Sequence, residues 1–234
     1  PQIPTWGADD NLKIIRIDID PVEINRVHLP IVGIVGDAAP VLAALTERVG
    51  RYNHKRSSRE EELNGLKADL RAEFERALGP QVAYLDAIRA ELPEDGIFVE
   101  DLTQVGYVAR FAFPTYKPRT FITTGYQGTL GFGFATALGV KVARPETPVV
   151  AVAGDGGFMY NVQELATAVL HGINVVTVVF SDGAYGNVRR MQIEDPGNRV
   201  IATDLHNPDF VKLAESFGAQ GLKAATPNEL RGAL

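Results

Sequence analysis

The sequence contains no cysteine in its 234 residues, which excludes disulfides, thiolate metal ligands and cysteine nucleophiles. It also lacks any uninterrupted apolar run approaching the length of a membrane-spanning helix, and no signal peptide opens it. Basic residues are the minority charge, 23 against 29 acidic residues, and the net charge is −6. We therefore expect neither nucleic acid nor a membrane as a partner, and a cytoplasmic location is the default expectation.

The composition is that of an ordinary globular protein. Hydrophobic residues make up 45% of the chain and charged residues 22%, a balance that supports a sizeable core. The chain begins at Pro1 without a Met and stops at Leu234, just after Thr226-Pro227 predicts the start of a helix. We therefore expect the chain to be a fragment of a longer polypeptide.

Apolar periodicity predicts alternating strands and helices. Strands are predicted over 13–20, 31–35, 97–100, 149–153 and 174–180, and helices over 40–49, 51–76, 82–92 and 161–170. Asn161 and Glu164 have the spacing of a helix capping box, and Gly172 is typical of a helix end. The charged helix between two α/β blocks is interpreted as an interdomain linker. It divides the chain into 1–50, a helical linker over 51–79, and 80–234.

The segment from residue 149 to residue 180 predicts the fold class of the larger block. A strand, a helix and a second strand joined by short loops are typical of a right-handed βαβ unit in a parallel sheet. We therefore predict an α/β fold with a doubly wound parallel sheet over 80–234. In open sheets of this kind, ligands bind beyond the carboxyl ends of the strands.

Two strand ends in this unit carry residues that suit a metal and a phosphate. Gly154-Asp155-Gly156-Gly157 follows the first strand, and a second glycine-rich turn at 181–186 follows the other. Glycines let the backbone approach a ligand closely, and exposed backbone N–H groups can hold phosphate oxygens. Asp155 and Asp182 add carboxylates, which suit Mg²⁺ beside a phosphate. Because the two strands are predicted to be adjacent, we expect these carboxylates to lie side by side.

The stretch from Gly154 to Ala168 resembles the thiamine diphosphate (ThDP) binding motif of the acetolactate synthase and pyruvate decarboxylase superfamily. In that motif, Gly-Asp-Gly is followed after some two dozen residues by Asn-Asn. The resemblance extends over nearly the whole chain. Residues 1–50 resemble the end of the family's Rossmann-like central domain, and residues 80–234 resemble its diphosphate-binding domain.

The resemblance implies roles for individual residues. Asp155 and Asp182 would ligate Mg²⁺ through their side chains, and Ala184 through its carbonyl. Asp182 stands where the family usually has the second Asn of the motif, so it adds a negative charge near the diphosphate. Groups that hold the diphosphate would come from the two glycine-rich turns, namely Gly154, Gly156, Gly157, Ala184, Tyr185 and Gly186.

Three upstream features complete the site that the resemblance implies. Thr103 and Gln104 align with the family's Gly-Gln-His contact to the diphosphate, and Val105 replaces the His. Gly128 would offer its carbonyl to the aminopyrimidine, and Leu130 matches the bulky apolar residue that bends the cofactor into a V shape. The bend holds the 4′-imino group close to C2, so Gly128 and Leu130 are the predicted catalytic positions. The family uses the thiazolium as an electron sink for the decarboxylation of 2-oxo acids.

The resemblance also implies partners that this chain does not contain. In the family, the Glu that activates the aminopyrimidine belongs to an N-terminal pyrimidine-binding domain of a partner subunit, and no segment here resembles that domain. We therefore expect a homodimer or homotetramer in the full-length protein and a small-molecule 2-oxo acid as substrate. The 234-residue chain alone is expected to be inactive and to bind ThDP weakly.

Two alternatives remain open at this point. A dinucleotide-binding dehydrogenase domain shares the βαβ pattern, but the Gly-Phe-Gly run at 131–133 lacks the third glycine of that fingerprint and follows no predicted strand. A non-catalytic relative with a regulatory or assembly role is favoured by the substitutions Val105, Asp182 and Met191. Met191 stands where acetolactate synthases have a Trp.

Overall fold

The computed structural model describes residues 12–52 and 57–234. Parts of the predicted first domain and of the predicted linker, at 1–11 and 53–56, lie outside the described residues. The chain forms two compact units that are divided between Leu63 and Asn64. The domain limits predicted at residues 50 and 79 stay predictions.

The first unit contains a small parallel sheet and one helix. Strands β1 (Ile15–Asp18) and β2 (Val32–Val35) pair in parallel, with Ile15 opposite Val32. Helix α1 (Ala38–Val49) follows, and the Asp37 side chain caps it by accepting a hydrogen bond from the Ala39 N–H at 2.8 Å. The two strands and the helix that the apolar pattern predicts for this region are therefore confirmed.

Helix α2 (Glu60–Glu91) is a single helix with a kink where two helices are predicted. The kink lies at Leu78, whose φ of −137° and ψ of 27° are not helical. Pro80 accounts for it, because proline has no N–H to donate and its ring crowds the preceding turn. After the kink, the helix buries Val82, Leu85 and Ile88 in the second unit.

The second unit contains a parallel four-stranded sheet and the remaining helices. Its strands are β3 (Ile97–Glu100), β4 (Phe121–Ile122), β5 (Val149–Gly154) and β6 (Val176–Phe180), in the order β4-β3-β5-β6. Its later helices are α3 (Gln104–Ala112), α4 (Phe132–Ala143), α5 (Asp155–Met159), α6 (Glu164–His171), α7 (Gly186–Glu194), α8 (Phe210–Ser216) and α9 (Pro227–Ala233). Within 12–52 and 57–234, no helix combines the length and the apolar character needed to cross a bilayer.

Both faces of this sheet are covered by helices. Successive side chains of a strand point to opposite faces, and the core follows this alternation. Phe98 and Val150 pack with residues of α2 and α3, whereas Val99 and Ala151 pack against Ala137 of α4. The prediction of an α/β fold with a doubly wound parallel sheet is therefore confirmed.

The strand order reverses at β3, and this reversal positions the site. From β3 the chain passes through α3 to β4 on one side, and then through α4 to β5 on the other side of β3. Helices α3 and α4 cover opposite faces, so a crevice opens beyond the carboxyl ends of β3 and β5. This is where open α/β sheets bind their ligands.

A buried ion pair fixes α3 against the end of β3. Glu100 is fully buried, and both of its carboxylate oxygens accept hydrogen bonds from the Arg110 guanidinium, at 2.7 and 3.1 Å. Burial raises the pKa of Glu100, while the hydrogen bond and the charge of Arg110 lower it. Because Arg110 lies in the last turn of α3, the ion pair fastens that turn to the end of β3.

One local prediction near the Gly-Asp-Gly sequence is wrong. Asp155 itself begins the short helix α5 directly after β5. The predicted capping box is absent: α6 begins at Glu164, and the Asn161 side chain instead donates a hydrogen bond to the Gly131 carbonyl at 2.6 Å. A partner distant in sequence therefore replaces the local cap. The predicted end at Gly172 is confirmed by its left-handed φ of 61°.

Candidate functional site

Asp155 is the most completely hydrogen-bonded of the predicted site residues. Its side chain lies at the carboxyl end of β5 and is 2% exposed. Oδ2 accepts hydrogen bonds from the Gly183 N–H at 2.8 Å, from Asn207 Nδ2 at 2.6 Å and from Ser181 Oγ at 3.4 Å. Oδ1 accepts one hydrogen bond, from the Gly156 N–H at 2.8 Å.

The two oxygens of the Asp155 carboxylate differ in how many hydrogen bonds they accept, three for Oδ2 and one for Oδ1. An ionised carboxylate only accepts, and its two oxygens offer about four lone-pair sites. Three donors on Oδ2 fix its direction, while Oδ1 keeps a lone pair for a cation. Metal-ligating carboxylates are commonly oriented in this way by hydrogen bonds to their other oxygen. The donor set therefore fits the Mg²⁺ that the resemblance implies.

The turn after β6 is fastened by a segment from later in the chain. Ala184 is buried and forms an antiparallel bridge with Asp204. The Tyr185 N–H donates to the Thr203 carbonyl and the Leu205 N–H donates to the Gly183 carbonyl, both at 2.8 Å. We call residues 203–207 the strap. The strap holds in place the turn that carries Asp182 and Ala184.

The backbone of this turn leaves oxygen atoms available for a metal. Tyr185, with φ −73° and ψ 73°, is the centre of an inverse γ-turn, in which the Gly186 N–H donates to the Ala184 carbonyl at 2.9 Å. That carbonyl has a second lone pair. Asp182 is exposed, and its Oδ1 accepts from the Ala184 N–H at 3.3 Å. Both predicted ligands therefore retain acceptor capacity, and their role as ligands stays a prediction.

The Asp182 carboxylate lies close beside Gly186 at the start of α7. A Cβ at Gly186 would lie 3.0 Å from Asp182 Oδ2. No side chain caps the N-terminus of α7, so the N–H groups that follow Gly186 in its first turn stay available to an anion. An uncapped helix start beside two carboxylates suits a diphosphate that is bridged by a divalent cation.

Tyr185 lies over the Gly-Asp-Gly sequence. A Cβ at Gly156 would lie 2.5 Å from Tyr185 Cε1, so any side chain at this position would collide with the ring. A hydrogen bond with the Tyr160 side chain, followed in effect by burial, raises the pKa of the Tyr185 hydroxyl. Tyr185 is thus anchored on α5 and connects the two glycine-rich segments.

Of the two upstream residues predicted to contact the diphosphate, only Gln104 has an exposed side chain. Thr103 is buried, and its hydroxyl caps α3 by accepting from the Val105 N–H at 3.3 Å. Gln104 is exposed and its Oε1 accepts from Gln81 Nε2 at 3.2 Å. Val105, which replaces the family's His, packs in the hydrophobic core. Diphosphate contacts by Thr103 and Gln104 stay predictions.

The loop that contains Gly128 and Leu130 is held at its end by three residues, Asp101, Gly131 and Asn161, which we call the loop clamp. Asp101 accepts from the Gly133 N–H at 3.0 Å and also from the backbone of Gly131, while Asn161 donates to the Gly131 carbonyl at 2.6 Å. Gly131 has a φ of 82°, and a Cβ there would lie 2.7 Å from Tyr160 Cβ. The loop clamp thereby fixes the predicted aminopyrimidine loop against α5.

The two predicted catalytic positions lie just before the loop clamp. Gly128 has a φ of 58°, a left-handed conformation that a β-carbon disfavours. Leu130 is half-buried, which suits either a packing role or contact with a cofactor. Their catalytic roles stay predictions.

Asp101 gives this region a pH dependence. Burial raises the pKa of Asp101, although the N–H groups of Gly133, Leu102 and Gly131 lower it. A carboxyl group whose pKa is higher in the folded chain contributes stability that is fully present below the unfolded pKa and is lost as pH rises through the folded pKa. Relative to Asp101→Asn, the wild type is therefore expected to lose free energy of unfolding as the pH rises above about 4, the ordinary range of an aspartate. Urea unfolding of both proteins at a series of increasing pH values measures the difference, and a constant difference would contradict the assignment.

Sequence reasoning missed the contribution of Asn207. It comes 52 residues after Asp155, in the strap. Because Asn207-Pro208-Asp209 precedes α8, and Asp209 caps that helix, the local pattern indicates only a turn and a helix start. Its position immediately before a proline was the one available signal, and that signal does not identify a partner.

A cavity elsewhere in this unit is not part of the site. It has a volume of about 260 Å³ and is lined by residues that include Pro148, Val149, Asn174 and Val176. These residues lie at or just before the starts of β5 and β6, at the opposite edge of the sheet from Asp155. All the predicted cofactor contacts belong to the carboxyl edge or to the loop that packs against it.

Comparison with known proteins agrees with this geometry. The family described as thiamine pyrophosphate enzyme, C-terminal TPP binding domain, matches residues 101–234. Over 96% of its length, the chain is 39% identical to the acetolactate synthase large subunit of Haemophilus influenzae, of which it covers 40%. Over 88% of its length, it is 34% identical to a probable 2-ketoarginine decarboxylase of Pseudomonas aeruginosa, of which it covers 37%.

A solved structure shows the same relationship. The thiamine diphosphate-dependent 4-hydroxybenzoylformate decarboxylase of Rhodococcus jostii RHA1 matches with a TM-score of 0.61 and 27% identity, over 65% of this chain and 29% of that one. The chain spans about 40% of the length of the acetolactate synthase relatives that it matches. The family match includes Asp155, Asp182 and Leu130. The resemblance seen in the sequence is therefore confirmed, and the chain belongs to the thiamine pyrophosphate enzyme family, of which it carries the C-terminal TPP-binding domain.

Proposed function

We propose that this chain supplies the Mg²⁺- and diphosphate-binding part of a ThDP-dependent enzyme that decarboxylates 2-oxo acids or joins them to an acceptor. The observation that carries the proposal is the buried Asp155 carboxylate, whose Oδ2 is held by three donors and whose Oδ1 keeps a free lone pair. The names of the relatives support the substrate class, because 2-ketoarginine and 4-hydroxybenzoylformate are 2-oxo acids.

In this proposal, each part of the carboxyl edge has a separate task. Asp155 Oδ1, the Asp182 carboxylate and the Ala184 carbonyl hold Mg²⁺, and backbone N–H groups at Gly157 and in the first turn of α7 hold the diphosphate. When bound, ThDP supplies a thiazolium that accepts the electron pair released by decarboxylation. The Gly128 carbonyl would accept a hydrogen bond from the aminopyrimidine, and the Leu130 side chain would contact the cofactor as the family's bulky apolar residue.

The remaining parts of the active site are proposed to come from outside this chain. A partner subunit contributes the N-terminal pyrimidine-binding domain with the activating Glu, in a homodimer or homotetramer of the full-length protein. The acidic composition, with a net charge of −6, supports a soluble cytoplasmic enzyme without a nucleic-acid or membrane partner. By itself, the 234-residue chain is then a weak binder of ThDP and has no turnover.

Binding and turnover together test the proposed function. Calorimetric titration of the chain with ThDP is expected to show weak binding that requires Mg²⁺, whereas NAD and FAD give no binding. The isolated chain is expected not to consume pyruvate, and the full-length protein is expected to consume at least one member of a panel of 2-oxo acids. Failure of the chain to bind ThDP with Mg²⁺ at millimolar concentration would contradict the proposal. Binding combined with a full-length protein that is inactive on the whole panel would instead favour a non-catalytic, regulatory or assembly role.

The charge of Asp182 is expected to affect the metal directly. Asp182→Asn keeps one oxygen ligand and removes one negative charge, so Mg²⁺ should bind less tightly in the presence of ThDP. Asp182 is exposed, and two unit charges about 4 Å apart in water interact by about 1 kcal/mol. This energy is a lower bound for a divalent cation in direct contact, so the affinity should fall by at least about fivefold. Titration with Mg²⁺ measures the change, and Asp69→Asn, an exposed site on α2, controls for net charge. Equal affinity in Asp182→Asn and in the wild type would show that the additional charge has no effect.

A further inference from the structure

We propose that Asn207 is a positioning residue for the metal: its side-chain amide holds the Asp155 carboxylate in the orientation that presents Oδ1 to Mg²⁺. The inference rests on the proposed function, because it assigns a task within the same site. Asn207 lies between α7 and α8, and no residue of the Gly-Asp-Gly sequence or of the turn at 181–186 is close to it in the chain.

The chemistry of the contact identifies the atom that Asn207 presents. Its nearest site atom is Asp155 Oδ2 at 2.6 Å, and Ser181 Oγ lies at 3.3 Å. An ionised carboxylate can only accept a hydrogen bond, so the amide must present its Nδ2 as the donor. A hydrogen bond to a charged acceptor is stronger and more directional than one between neutral groups. Asn207 is therefore well suited to set the rotation of the carboxylate.

Asn207 is itself held by the backbone around it. Pro208 restricts the residue before it to an extended conformation, and Asp209 caps α8 by accepting from the N–H groups of Val211 and Lys212 at 3.1 and 3.3 Å. On the other side, the strap is bonded to the turn after β6 through Leu205 and Gly183. Because the backbone on both sides of Asn207 is held, its side chain loses little further conformational freedom when it orients the Asp155 carboxylate.

The strap joins the two sources of metal ligands. Through Asn207 it contacts Asp155 at the end of β5, and through its backbone it contacts Gly183 and Tyr185, which flank Ala184. The same short segment therefore sets the distance between the Asp155 ligand and the Ala184 ligand. This placement distinguishes a positioning role from a general contribution to stability, because a disturbance of the strap changes the geometry of the metal site itself.

The other donors to Asp155 Oδ2 provide a graded comparison. The Gly183 donor is a backbone N–H and stays in place when a side chain is changed. Ser181 donates over 3.4 Å, compared with 2.6 Å for Asn207. If these donors orient the carboxylate, removal of the Asn207 amide should weaken metal binding more than removal of the Ser181 hydroxyl.

The inference can be tested by titrating the 234-residue chain with Mn²⁺ in place of Mg²⁺ and with ThDP in excess. Electron paramagnetic resonance measures the free Mn²⁺. Asn207→Ala and Asn207→Leu, of which the second keeps more of the side-chain volume, are expected to weaken Mn²⁺ binding by about tenfold. Ser181→Ala should have a smaller effect. Asn174→Ala removes the same amide from an exposed position just before β6 and should leave the affinity unchanged. Far-UV circular dichroism verifies that each variant is folded.

A measurement on the wild type complements the variants. The Asn207 side-chain amide signals in the ¹⁵N NMR spectrum are expected to shift when Mg²⁺ is added with ThDP, because their acceptor becomes a metal ligand, while those of Asn174 stay unchanged. Absence of Mn²⁺ binding by the wild-type chain would overturn the proposed function, and this inference with it. Wild-type binding that persists within twofold in a folded Asn207 variant, or an Asn207 signal that does not respond to Mg²⁺ and ThDP, would overturn this inference alone.

Discussion

Replacement of Asp155 by Ala is expected to abolish Mg²⁺-dependent binding of ThDP, with a loss in affinity of at least about a hundredfold. Substitutions of groups that merely orient a metal ligand commonly cost 10- to 100-fold, and removal of the ligand itself should exceed that range. The substitution also removes the acceptor that Gly183 N–H, Asn207 Nδ2 and Ser181 Oγ share at this partly buried edge of the sheet. Without that acceptor, the turn after β6 and the strap lose their common contact to the end of β5.

Calorimetric titration of Asp155→Ala with ThDP and Mg²⁺ measures this effect. Removal of Mg²⁺ from the wild type by EDTA should reproduce the loss of binding. Asp69→Ala is the control, because it deletes an exposed carboxylate on α2 that belongs to none of the predicted contacts. ThDP affinity should change little in this variant. Retained Mg²⁺-dependent binding in Asp155→Ala would show that the metal is held elsewhere.

Replacement of Gly106 by Ala is expected to destabilise the second unit by more than about 3 kcal/mol, beyond the usual cost of inserting a methyl group into a packed core. Gly106 lies in α3, where its added Cβ would be 2.2 Å from the Asp101 carbonyl oxygen and 2.9 Å from Glu100 Cγ. Neither neighbour can move freely. The first belongs to the backbone at the end of β3, and the second is held by the Glu100–Arg110 ion pair. Helix α3 would have to separate from the strand.

Gly139→Ala provides the comparison for this prediction. Gly139 lies in the interior of α4, is exposed, and has no atom within 4 Å of its ideal Cβ position. Alanine should therefore stabilise the protein by about 0.5–1 kcal/mol, through its higher helix propensity and a less flexible unfolded chain. Denaturant unfolding of both variants measures the contrast. Equal stabilities would show that α3 can move away from β3 without cost.

The sequence predicts well those features that depend on neighbouring residues. The buried β-branched runs that become β3, β5 and β6 and the left-handed helix end at Gly172 follow from local pattern and backbone chemistry. The family and its cofactor follow from the resemblance of the stretch from Gly154 to Ala168 to the family's binding motif. Parallel pairing of β5 and β6 brings Asp155 and Asp182 to one edge of the sheet.

The features that the sequence does not predict depend on distant partners or on very short elements. Strand β4 has only two residues, too few to show any periodicity. Asn161 matches a local cap, yet its amide bonds to Gly131, 30 residues away. Asn207 matches a turn, although it bonds to Asp155 across 52 residues. When a polar side chain has several possible hydrogen-bond partners, the tertiary fold decides which of them it bonds. A local sequence pattern cannot distinguish among those partners.

The loop clamp limits how independently the loop that carries Leu130 and the segment near Asp155 can change. Asp101 and Asn161 bind opposite polar groups of a single residue, Gly131. The energetic effects of mutations in residues that share a partner are not additive. A double variant of Asp101 and Asn161 should therefore lose less stability than the two single variants together. During evolution, a change in the loop that carries Leu130 would alter which substitutions are tolerated near Asp155, so the two segments are expected to vary together among relatives.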